Sequence, residues 1–224
     1  MQAPRSRAAA LPGEIPVFPL PGALLLPGGK LPLNIFEPRY LALTEDALAA
    51  GRMFGMIQPD PMVPDTETGP GLYRIGCLGR LTSFSETEDG RYLITLTGLL
   101  RYRIVAEAPM RRGYRRMLVD YAPYLAELDT PADASAEAIG LPRETLLGAL
   151  RGYFTRRGFD ANWEAIRKLG DAALVTTLCM VCPFEPAEKQ ALLEAPDLPA
   201  RTDALHTLLQ IGAAADPTDV TRPS

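Results

Sequence analysis

The sequence predicts an α+β protein in which a β-rich first part is followed by a helical second part. Of its 224 residues, the first 122 contain 13 of the 22 prolines and 13 of the 19 glycines. The apolar stretches between them are short and rich in Ile, Val, Leu, Tyr and Phe, whereas later apolar residues recur with a helical period. The charge balance changes too, from 14 basic and 12 acidic side chains over residues 1–122 to 9 and 15 over residues 123–224. We therefore predict a domain boundary near residue 122.

Seven strands are predicted in the first part, separated by Pro, Gly and polar turn residues. The clearest follows the turn pair Asp89-Gly90, where alternating side chains indicate a strand from Arg91 to Thr97. Gly76 and Gly79 interrupt the strand before it, which indicates a bulge or a sharp bend. The predicted strands are Ile15–Leu20, Leu31–Phe36, Met53–Gln58, Tyr73–Ser85, Arg91–Thr97, Leu100–Ala106 and Tyr114–Tyr121.

One helix is predicted within the β-rich part, from Pro38 to Ala50. Proline suits the first position of a helix because its missing N–H would have no partner within the helix there. Gly51 follows the last predicted turn, where glycine can close a helix in the left-handed conformation. Tyr40, Leu41 and Leu48 would then pack this helix against the sheet.

Four helices are predicted in the second part, two from apolar residues at helical spacing and two from a proline start and a leucine-rich face. The apolar stripes are Leu146, Leu147, Leu150, Tyr153 and Phe154, and Leu174, Val175, Leu178, Val181 and Cys182; the other helices are Pro186–Glu194 and Leu198–Ile211. Asp129–Gly140 is poor in large apolar residues and is interpreted as a linker. We expect a flexible start over residues 1–13, a β-rich subdomain over 14–122, a helical subdomain over 123–211 and a flexible tail over 212–224.

The composition limits the chemistry that the chain can support. A hydrophobic fraction of 47% and a charged fraction of 22% are typical of a globular protein. With one histidine, His206, no metal site can use two His ligands, and a catalytic triad would need this residue. Three cysteines suit a reducing compartment better than a disulfide framework. Neither a signal peptide nor an apolar stretch of about 20 residues is found, so we expect a cytoplasmic protein without membrane contact.

Three short motifs fit structural roles better than catalytic or ligand-binding ones. Pro27-Gly28-Gly29-Lys30 lacks the spacing and the following hydroxyl residue of a Walker phosphate loop, and is interpreted as a β-turn. Cys179 and Cys182 have CxxC spacing, but they belong to an apolar helical stripe and lie near a helix C-terminus, which disfavours thiolates. His206 has no recognisable partner for acid–base catalysis. We therefore expect no catalytic residue, no metal and no cofactor.

The densest charge cluster lies near the end of the first part. Its six arginines, interleaved with Tyr102 and Tyr114, could neutralise phosphates and stack bases, as RNA-binding sheets do. The opposing interpretation is a set of solvated strand faces and a hairpin tip, which the acidic pI of about 5.2 favours. RNA binding through this patch is the alternative hypothesis. Its residues are Arg101, Arg103, Arg111, Arg112, Arg115 and Arg116.

A co-linear series of apolar segments with prolines and glycines at fixed places runs over about residues 14–211. It opens with Ile15-Pro16-Val17-Phe18-Pro19-Leu20, Leu26-Pro27-Gly28 and Leu31-Pro32-Leu33-Asn34-Ile35-Phe36-Glu37-Pro38-Arg39-Tyr40. It continues with Gly55-Met56-Ile57-Gln58, Ile75-Gly76-Cys77-Leu78-Gly79-Arg80-Leu81, Asp89-Gly90-Arg91-Tyr92, Leu96-Thr97-Gly98, Arg101-Tyr102-Arg103 and the helical segment from Pro183 to Glu194. Together these segments strongly resemble the N-terminal, substrate-binding domain of the Lon ATP-dependent protease family.

The resemblance implies a six-stranded PUA-like β-barrel followed by a C-terminal helical bundle, and contact with polypeptide substrates. The candidate residues for this contact are Phe36, Glu37, Arg39 and Tyr40, around the predicted helix start. Glu37 and Arg39 could equally form an ion-paired corner at the helix start, with Tyr40 as a core residue.

In the Lon family an AAA+ ATPase and a Ser-Lys peptidase domain follow this module, but the 224 residues contain no Walker lysine motif and no room for either domain. We therefore expect a stand-alone bacterial module that binds polypeptide segments or protein partners, in a proteolysis-related setting. We expect it to have neither ATPase nor peptidase activity of its own.

Overall fold

The chain divides into two compact units, and each is described by itself. The computed structural model describes residues 11–128 and 142–214. The first unit comprises residues 1–131 and the second residues 132–224, so the division lies beyond the boundary near residue 122 that the charge balance predicts. The segment Ala122–Leu128 forms a 3₁₀-helix, and its Glu127 accepts hydrogen bonds from the backbone and side-chain nitrogens of Arg101 in the sheet. These bonds attach the segment to the first unit.

Six strands and one α-helix form the first unit together with this 3₁₀-helix, within the described residues. They are β1 (Glu14–Pro19), β2 (Lys30–Ile35), α1 (Pro38–Ala49), β3 (Met53–Ile57), β4 (Ile75–Glu86), β5 (Tyr92–Arg111) and β6 (Tyr114–Asp120). A mixed α+β fold with a sheet is thereby confirmed. The predicted strands Arg91–Thr97 and Leu100–Ala106 are both parts of β5, so the expectation of two separate strands is wrong.

The strands form one sheet with the order β2-β5-β4-β3-β1-β6, in which β5 also pairs with β6. The pairings therefore run in a ring through β5, β4, β3, β1 and β6, with β2 added along β5. Strands β1 and β3 are parallel, and the other pairs are antiparallel. Parallel strands need a crossover connection, and here that connection contains β2 and α1.

Strand β5 is 20 residues long and bends where its register shifts. Leu99 is skipped in its pairing with β4, and Val105 is skipped in its pairing with β6. Extra residues of this kind bend and twist a strand. At Gly98 a Cβ atom would lie 2.1 Å from the carbonyl oxygen of Leu26, so only glycine lets the β1–β2 connection cross here. Gly98 thus marks a bend within a strand, where the sequence suggested a strand end.

Tyr102 lies at the centre of the core of the first unit. Its side chain is fully buried, and its hydroxyl donates a hydrogen bond to the carbonyl oxygen of Met56, 3.2 Å away. A Cβ atom on Gly55 or Gly76 would lie 2.5 or 2.4 Å from this hydroxyl oxygen, so the two glycines leave the space that the ring fills. The surrounding core residues are Ile15, Val17, Ile57, Leu78, Leu100, Met117 and Tyr121.

Helix α1 begins at Pro38, as predicted, and ends at Ala49. Gly51 has a φ of 81°, which confirms the left-handed closure expected after this helix. Leu41 and Leu48, expected to pack against the sheet, are only half-buried. The buried face of the helix consists instead of Tyr40, Ala42, Leu43, Thr44 and Ala47.

Five helices form the described part of the second unit: α2 (Arg143–Arg157), α3 (Trp163–Lys168), α4 (Asp171–Val181), α5 (Pro186–Glu194) and α6 (Leu198–Ala214). The four predicted helices are present. The sequence did not indicate α3, because six residues are too few to show a helical period.

The predicted ends and linker fall partly outside the described residues. Residues 1–10, the linker Asp129–Gly140 and residues 215–224 lie outside them. Residues 212–214, expected at the start of the flexible tail, continue α6 in the structure. Gly212 allows this part of α6 to pack closely against Tyr153, because a Cβ atom at this position would lie 2.4 Å from the Tyr153 ring. At the other end, Pro12 and Gly13 accept hydrogen bonds from the Tyr121 hydroxyl and the Val119 amide.

Tyr153 joins the aromatic cluster of the second unit. Its ring centroid lies 6.1 Å from that of Phe154, 6.3 Å from that of Phe159 and 5.8 Å from that of Phe184. The Tyr153 hydroxyl is buried and has no hydrogen-bond partner within the described residues. The ring therefore stabilises this unit by aromatic packing and by a cation–π contact with Arg157, whose Cζ atom lies 5.5 Å from the ring centroid.

The CxxC cysteines are part of the core of the second unit. Cys179 and Cys182 are both fully buried, and burial is the main reason that the pKa of each thiol is raised to about 12. A thiol with such a pKa forms almost no thiolate near neutral pH. The structural interpretation of this pair is therefore supported.

Among the residues that the structure describes, none of the helices has the length and apolar character needed to cross a membrane.

We predict that Gly76→Ala lowers the free energy of unfolding of the first unit by about 1–3 kcal/mol, because the new methyl group overlaps Tyr102. Urea denaturation followed by tyrosine near-UV circular dichroism measures this effect, since seven of the eight tyrosines lie in the first unit. Fluorescence of the single Trp163 reports on the second unit separately. The control Gly13→Ala has no atom within 4 Å of the new Cβ and should change stability by less than about 0.5 kcal/mol. A Gly76→Ala variant as stable as the wild type would contradict the described packing.

We also predict that iodoacetamide alkylates Cys179 and Cys182 far more slowly in the native chain than in urea, at a pH near the usual thiol pKa of about 8.5. The raised pKa keeps both native thiols protonated, and burial blocks access to them. A time course of labelling, read by peptide mass spectrometry, tests this. Equal rates in the native and unfolded chain would show that the pair is reactive.

Candidate functional site

A cleft opens where the start of α1 meets the turn between β5 and β6; we call it the Tyr40 cleft. Its volume is about 240 Å³, which is below the range of roughly 300–1,000 Å³ that is typical of small-molecule sites. It therefore suits a side chain of a larger ligand better than a whole cofactor. The lining residues are Phe18, Pro19, Leu20 and Pro21 from β1 and beyond, Glu37, Arg39 and Tyr40 from the α1 start, Pro59, Thr68 and Pro70 from the β3–β4 loop, and Gly113, Tyr114 and Arg115 from the turn and β6.

Tyr40 lies between an aromatic ring and a guanidinium. Its ring centroid is 4.0 Å from that of Phe18, and the Cζ atom of Arg39 lies 4.6 Å from the Tyr40 centroid. Its hydroxyl makes no hydrogen bond within the described residues, and its pKa is raised, chiefly by burial. The hydroxyl is therefore protonated near neutral pH and can donate a hydrogen bond to a ligand.

Glu37 and Arg39 form an ion pair at the rim of the cleft. The Nε and Nη2 atoms of Arg39 lie 3.0 and 2.8 Å from Oε2 of Glu37, and both side chains are about half exposed. The side chain of Glu37 does not cap α1. The ion-paired corner expected from the sequence is thus present, and both residues also line the cleft.

Phe36 does not line the cleft, unlike the three other predicted polypeptide-contact residues. Side chains alternate between the two faces of a strand, so Ile35 at the end of β2 is buried while the next residue, Phe36, is 63% exposed. The structure therefore brings Glu37, Arg39 and Tyr40 together and places Phe36 on a separate surface.

The turn between β5 and β6 forms the wall opposite the start of α1. Arg112 and Gly113 have φ angles of 47° and 85° and connect the paired residues Arg111 and Tyr114, as in a two-residue hairpin turn of type I′. A Cβ atom on Gly113 would lie 3.4 Å from Cβ of Arg39. The turn and the start of α1 therefore lie close together at this point.

Arg115 holds the third wall, the loop between β3 and β4, in place. It is only 7% exposed, and its Nε and Nη2 atoms each lie 2.8 Å from a different carboxylate oxygen of Glu107. Its Nη1 atom donates to the carbonyl oxygen of Pro70 at 2.6 Å. Hydrogen bonding from Arg115 is the main reason that the pKa of Glu107 is lowered. The loop is thus fixed by a charged group whose own charge is compensated.

A second cleft of about 360 Å³ lies beside Arg115 and Glu107. Its remaining lining is largely apolar, with charged groups from Asp60 and Arg74. None of the predicted polypeptide-contact residues lines it.

The predicted nucleic-acid patch is largely neutralised in the structure. Five of its six arginines form ion pairs with carboxylates, and Arg103 has no such partner within the described residues. Tyr102 is buried and cannot stack on a base. Phosphate binding requires positive charge that is not already compensated, so these contacts favour the structural interpretation. The pairs are Arg101–Glu127, Arg111–Asp46, Arg115–Glu107 and Arg116–Glu14, and Arg112 pairs with both Glu45 and Asp46.

No cluster of three or more potential metal ligands occurs in residues 11–128 and 142–214. His206 is half-buried on α6, and its side chain makes no hydrogen bond within these ranges. No acid–base pair is therefore assembled around it in the described structure.

Sequence reasoning missed Leu20, Pro59, Gly113 and Tyr114 as neighbours of Tyr40. These residues come from distant parts of the chain and meet because β1 pairs with both β3 and β6. The Arg112-Gly113 pair could have indicated the tight turn, but nothing local indicates that this turn lies against α1.

The family model of the ATP-dependent protease La (LON) substrate-binding domain matches residues 14–210 of the chain. Lon protease 2 of Myxococcus xanthus is 27% identical over 208 residues, which are 89% of this chain and 24% of that protein. Lon protease 2 of Sorangium cellulosum is 26% identical over 202 residues, 88% of this chain and 25% of that protein. The chain thus spans about a quarter of the length of these curated relatives.

Two solved structures have a similar fold. The Lon N-terminal domain protein from Xanthomonas campestris has a TM-score of 0.57 and 25% sequence identity, and the match covers 87% of this chain and 97% of that one. The N-terminal domain of Mycobacterium avium complex Lon protease has a TM-score of 0.55 and 18% identity over 88% and 97% of the two chains, which supports the fold alone. With the family match over residues 14–210, these likenesses show that the chain belongs to the Lon substrate-binding domain family.

Proposed function

We propose that this chain is a polypeptide-binding module that takes apolar segments of other proteins into the Tyr40 cleft. The observation that carries the proposal is the chemistry of this cleft in a member of a substrate-binding family. Its lining combines three aromatic rings and four prolines with charges that are paired. Such a surface favours contact with apolar side chains over recognition of a charged ligand.

The hydrogen-bonding groups of the cleft fit an extended polypeptide. Proline has no backbone N–H, so Pro19, Pro21, Pro59 and Pro70 leave the lining poor in donors. The Tyr40 hydroxyl is a donor without a partner in the described structure. A ligand that brings both donors and carbonyl acceptors, as a peptide backbone does, can satisfy this hydroxyl while an apolar side chain enters the cleft.

We further propose that the module has neither ATPase nor peptidase activity of its own and works in the cytoplasm in a proteolysis-related setting. The family match to a substrate-binding domain supports a binding role without catalysis in a proteolysis-related setting. The lack of a Walker phosphate loop in the 224 residues supports the absence of ATPase activity. We also propose that the ring of paired strands forms a closed, PUA-like barrel followed by a helical bundle.

We predict that Leu20→Ser weakens the binding of a short labelled peptide rich in Leu and Phe by about tenfold, because a half-buried apolar wall of the cleft is lost. Fluorescence anisotropy measures the dissociation constants. Leu93→Ser is the matched control, since Leu93 is 47% exposed and lies outside the cleft lining.

A wild-type chain that binds neither this peptide nor an unfolded protein would reject the proposed function. Equal losses in the Leu20→Ser and Leu93→Ser variants would place the binding site elsewhere.

The alternative hypothesis is RNA binding through the arginine patch. We predict that the protein does not shift the mobility of single-stranded RNA, even at low ionic strength. The ion pairs of Arg101, Arg111, Arg112, Arg115 and Arg116 leave little free positive charge in the predicted patch. An electrophoretic assay with and without added salt measures this. A shift that salt abolishes, and that Arg103→Ala weakens, would favour nucleic-acid binding instead.

A further inference from the structure

We propose that Asp46 is a positioning residue for the Tyr40 cleft: its carboxylate holds the β5–β6 turn against α1 and thereby fixes the width of the cleft. This inference rests on the proposed function of the cleft in binding polypeptide. Asp46 itself does not line the cleft, so it would act through the residues that it holds.

The two carboxylate oxygens of Asp46 together accept three contacts from the hairpin turn. Oδ1 accepts a hydrogen bond from Nη1 of Arg112 at 2.9 Å. Oδ2 accepts one from the hydroxyl of Tyr114 at 2.6 Å and lies 3.1 Å from Nε of Arg111. The single side chain of Asp46 thus contacts Arg111, Arg112 and Tyr114, which are all the residues of the turn except Gly113.

Arg112 also contacts α1 at a second carboxylate. Its Nη2 atom donates to Oε2 of Glu45 at 2.6 Å, and its Nη1 atom lies 3.5 Å from the carbonyl oxygen of Ala42. The φ of Arg112, 47°, is unusual for a residue with a side chain. The helix therefore helps to hold the turn in a conformation that most residues adopt at a cost.

The contacts of Asp46 connect the two opposite walls of the cleft. Arg39 and Tyr40 line it from the first turn of α1, and Gly113 and Tyr114 line it from the hairpin. These walls lie close together at Gly113 and Arg39, where a Cβ atom added to the glycine would be 3.4 Å from Cβ of Arg39. A small shift of the hairpin relative to α1 would therefore close or widen the cleft.

The place of Asp46 in its helix shows that its contacts outweigh a local cost. It lies in the last turn of α1, where the helix dipole disfavours a negative charge. Hydrogen bonding from Tyr114 is nevertheless the main reason that its pKa is lowered. The pKa of Tyr114 is raised to about 12, first by burial and then by this hydrogen bond. The carboxylate is therefore charged and the hydroxyl protonated near neutral pH, as the hydrogen bond requires.

The test uses the full chain and the same labelled peptide rich in Leu and Phe. Asp46→Asn should weaken binding by about tenfold, the effect of losing a strong hydrogen bond to a charged group. Tyr114→Phe keeps the buried ring and removes only the hydroxyl, so it tests the same link if the first variant folds poorly. Asp89→Asn is the matched control, because Asp89 pairs with Arg91 at 2.7 Å within another hairpin and does not line the cleft.

A double-mutant cycle separates positioning from general stability. If Asp46 acts through the cleft, Asp46→Asn should change affinity much less in a Leu20→Ser background than in the wild type. Additive effects, or unchanged affinity in both Asp46→Asn and Tyr114→Phe while the wild type binds, would overturn the inference and leave the proposed function intact. A wild-type chain that does not bind the peptide would overturn both.

Discussion

The first unit depends on a single strand that pairs along its length with three others. A straight strand of 20 residues would span about 66 Å, far more than a compact domain of this size allows, so β5 must bend. Gly98 permits the close crossing of the β1–β2 connection, and the extra residues Leu99 and Val105 add twist. Pro109 lies in the last register shift, where its missing N–H does not interrupt a regular ladder. Both ends of the bent strand therefore reach α1, where Glu45 accepts hydrogen bonds from Tyr92 at the start of β5 and from Arg112 just after its end.

The bending of β5 places the turn that follows it beside α1, and the cleft lies between these two elements. The turn that follows β5 lies close to the start of α1 near Arg39, and hydrogen bonds from Arg112 and Tyr114 join it to Asp46. The loop between β3 and β4 is fixed independently by Arg115. The cleft is therefore framed by elements held by directional, charge-assisted bonds, while most of its lining is apolar and its charged groups are paired. For the proposed binding of polypeptide, such a preorganised cleft reduces the entropy that binding must overcome.

The sequence predicted those features that depend only on residues close together in the chain. Pro38 and Gly51 locate α1, and two apolar stripes, a proline start and a leucine-rich face locate four helices of the second unit. The single strand β5 could not be predicted, because Gly98 signals a break locally and acts as a bend only where Leu26 crosses it. The cleft was found in part: Glu37, Arg39 and Tyr40 are adjacent in the chain, whereas Leu20 and Tyr114 join them only through strand pairing.

The arginines show why a dense charge cluster in a sequence predicts little about charge in the fold. Arg101, Arg115 and Arg112 are close in the chain, but their carboxylate partners come from the 3₁₀-helix, from β5 and from α1. Each pair joins two elements, and the buried ones need this compensation because an unpaired buried charge is strongly destabilising. The same pairing removes net charge from the surface beside the Tyr40 cleft. Under the proposed function, selectivity there comes from shape, apolar area and the hydroxyl of Tyr40, which are the properties that distinguish an exposed apolar segment from a folded, charged protein surface.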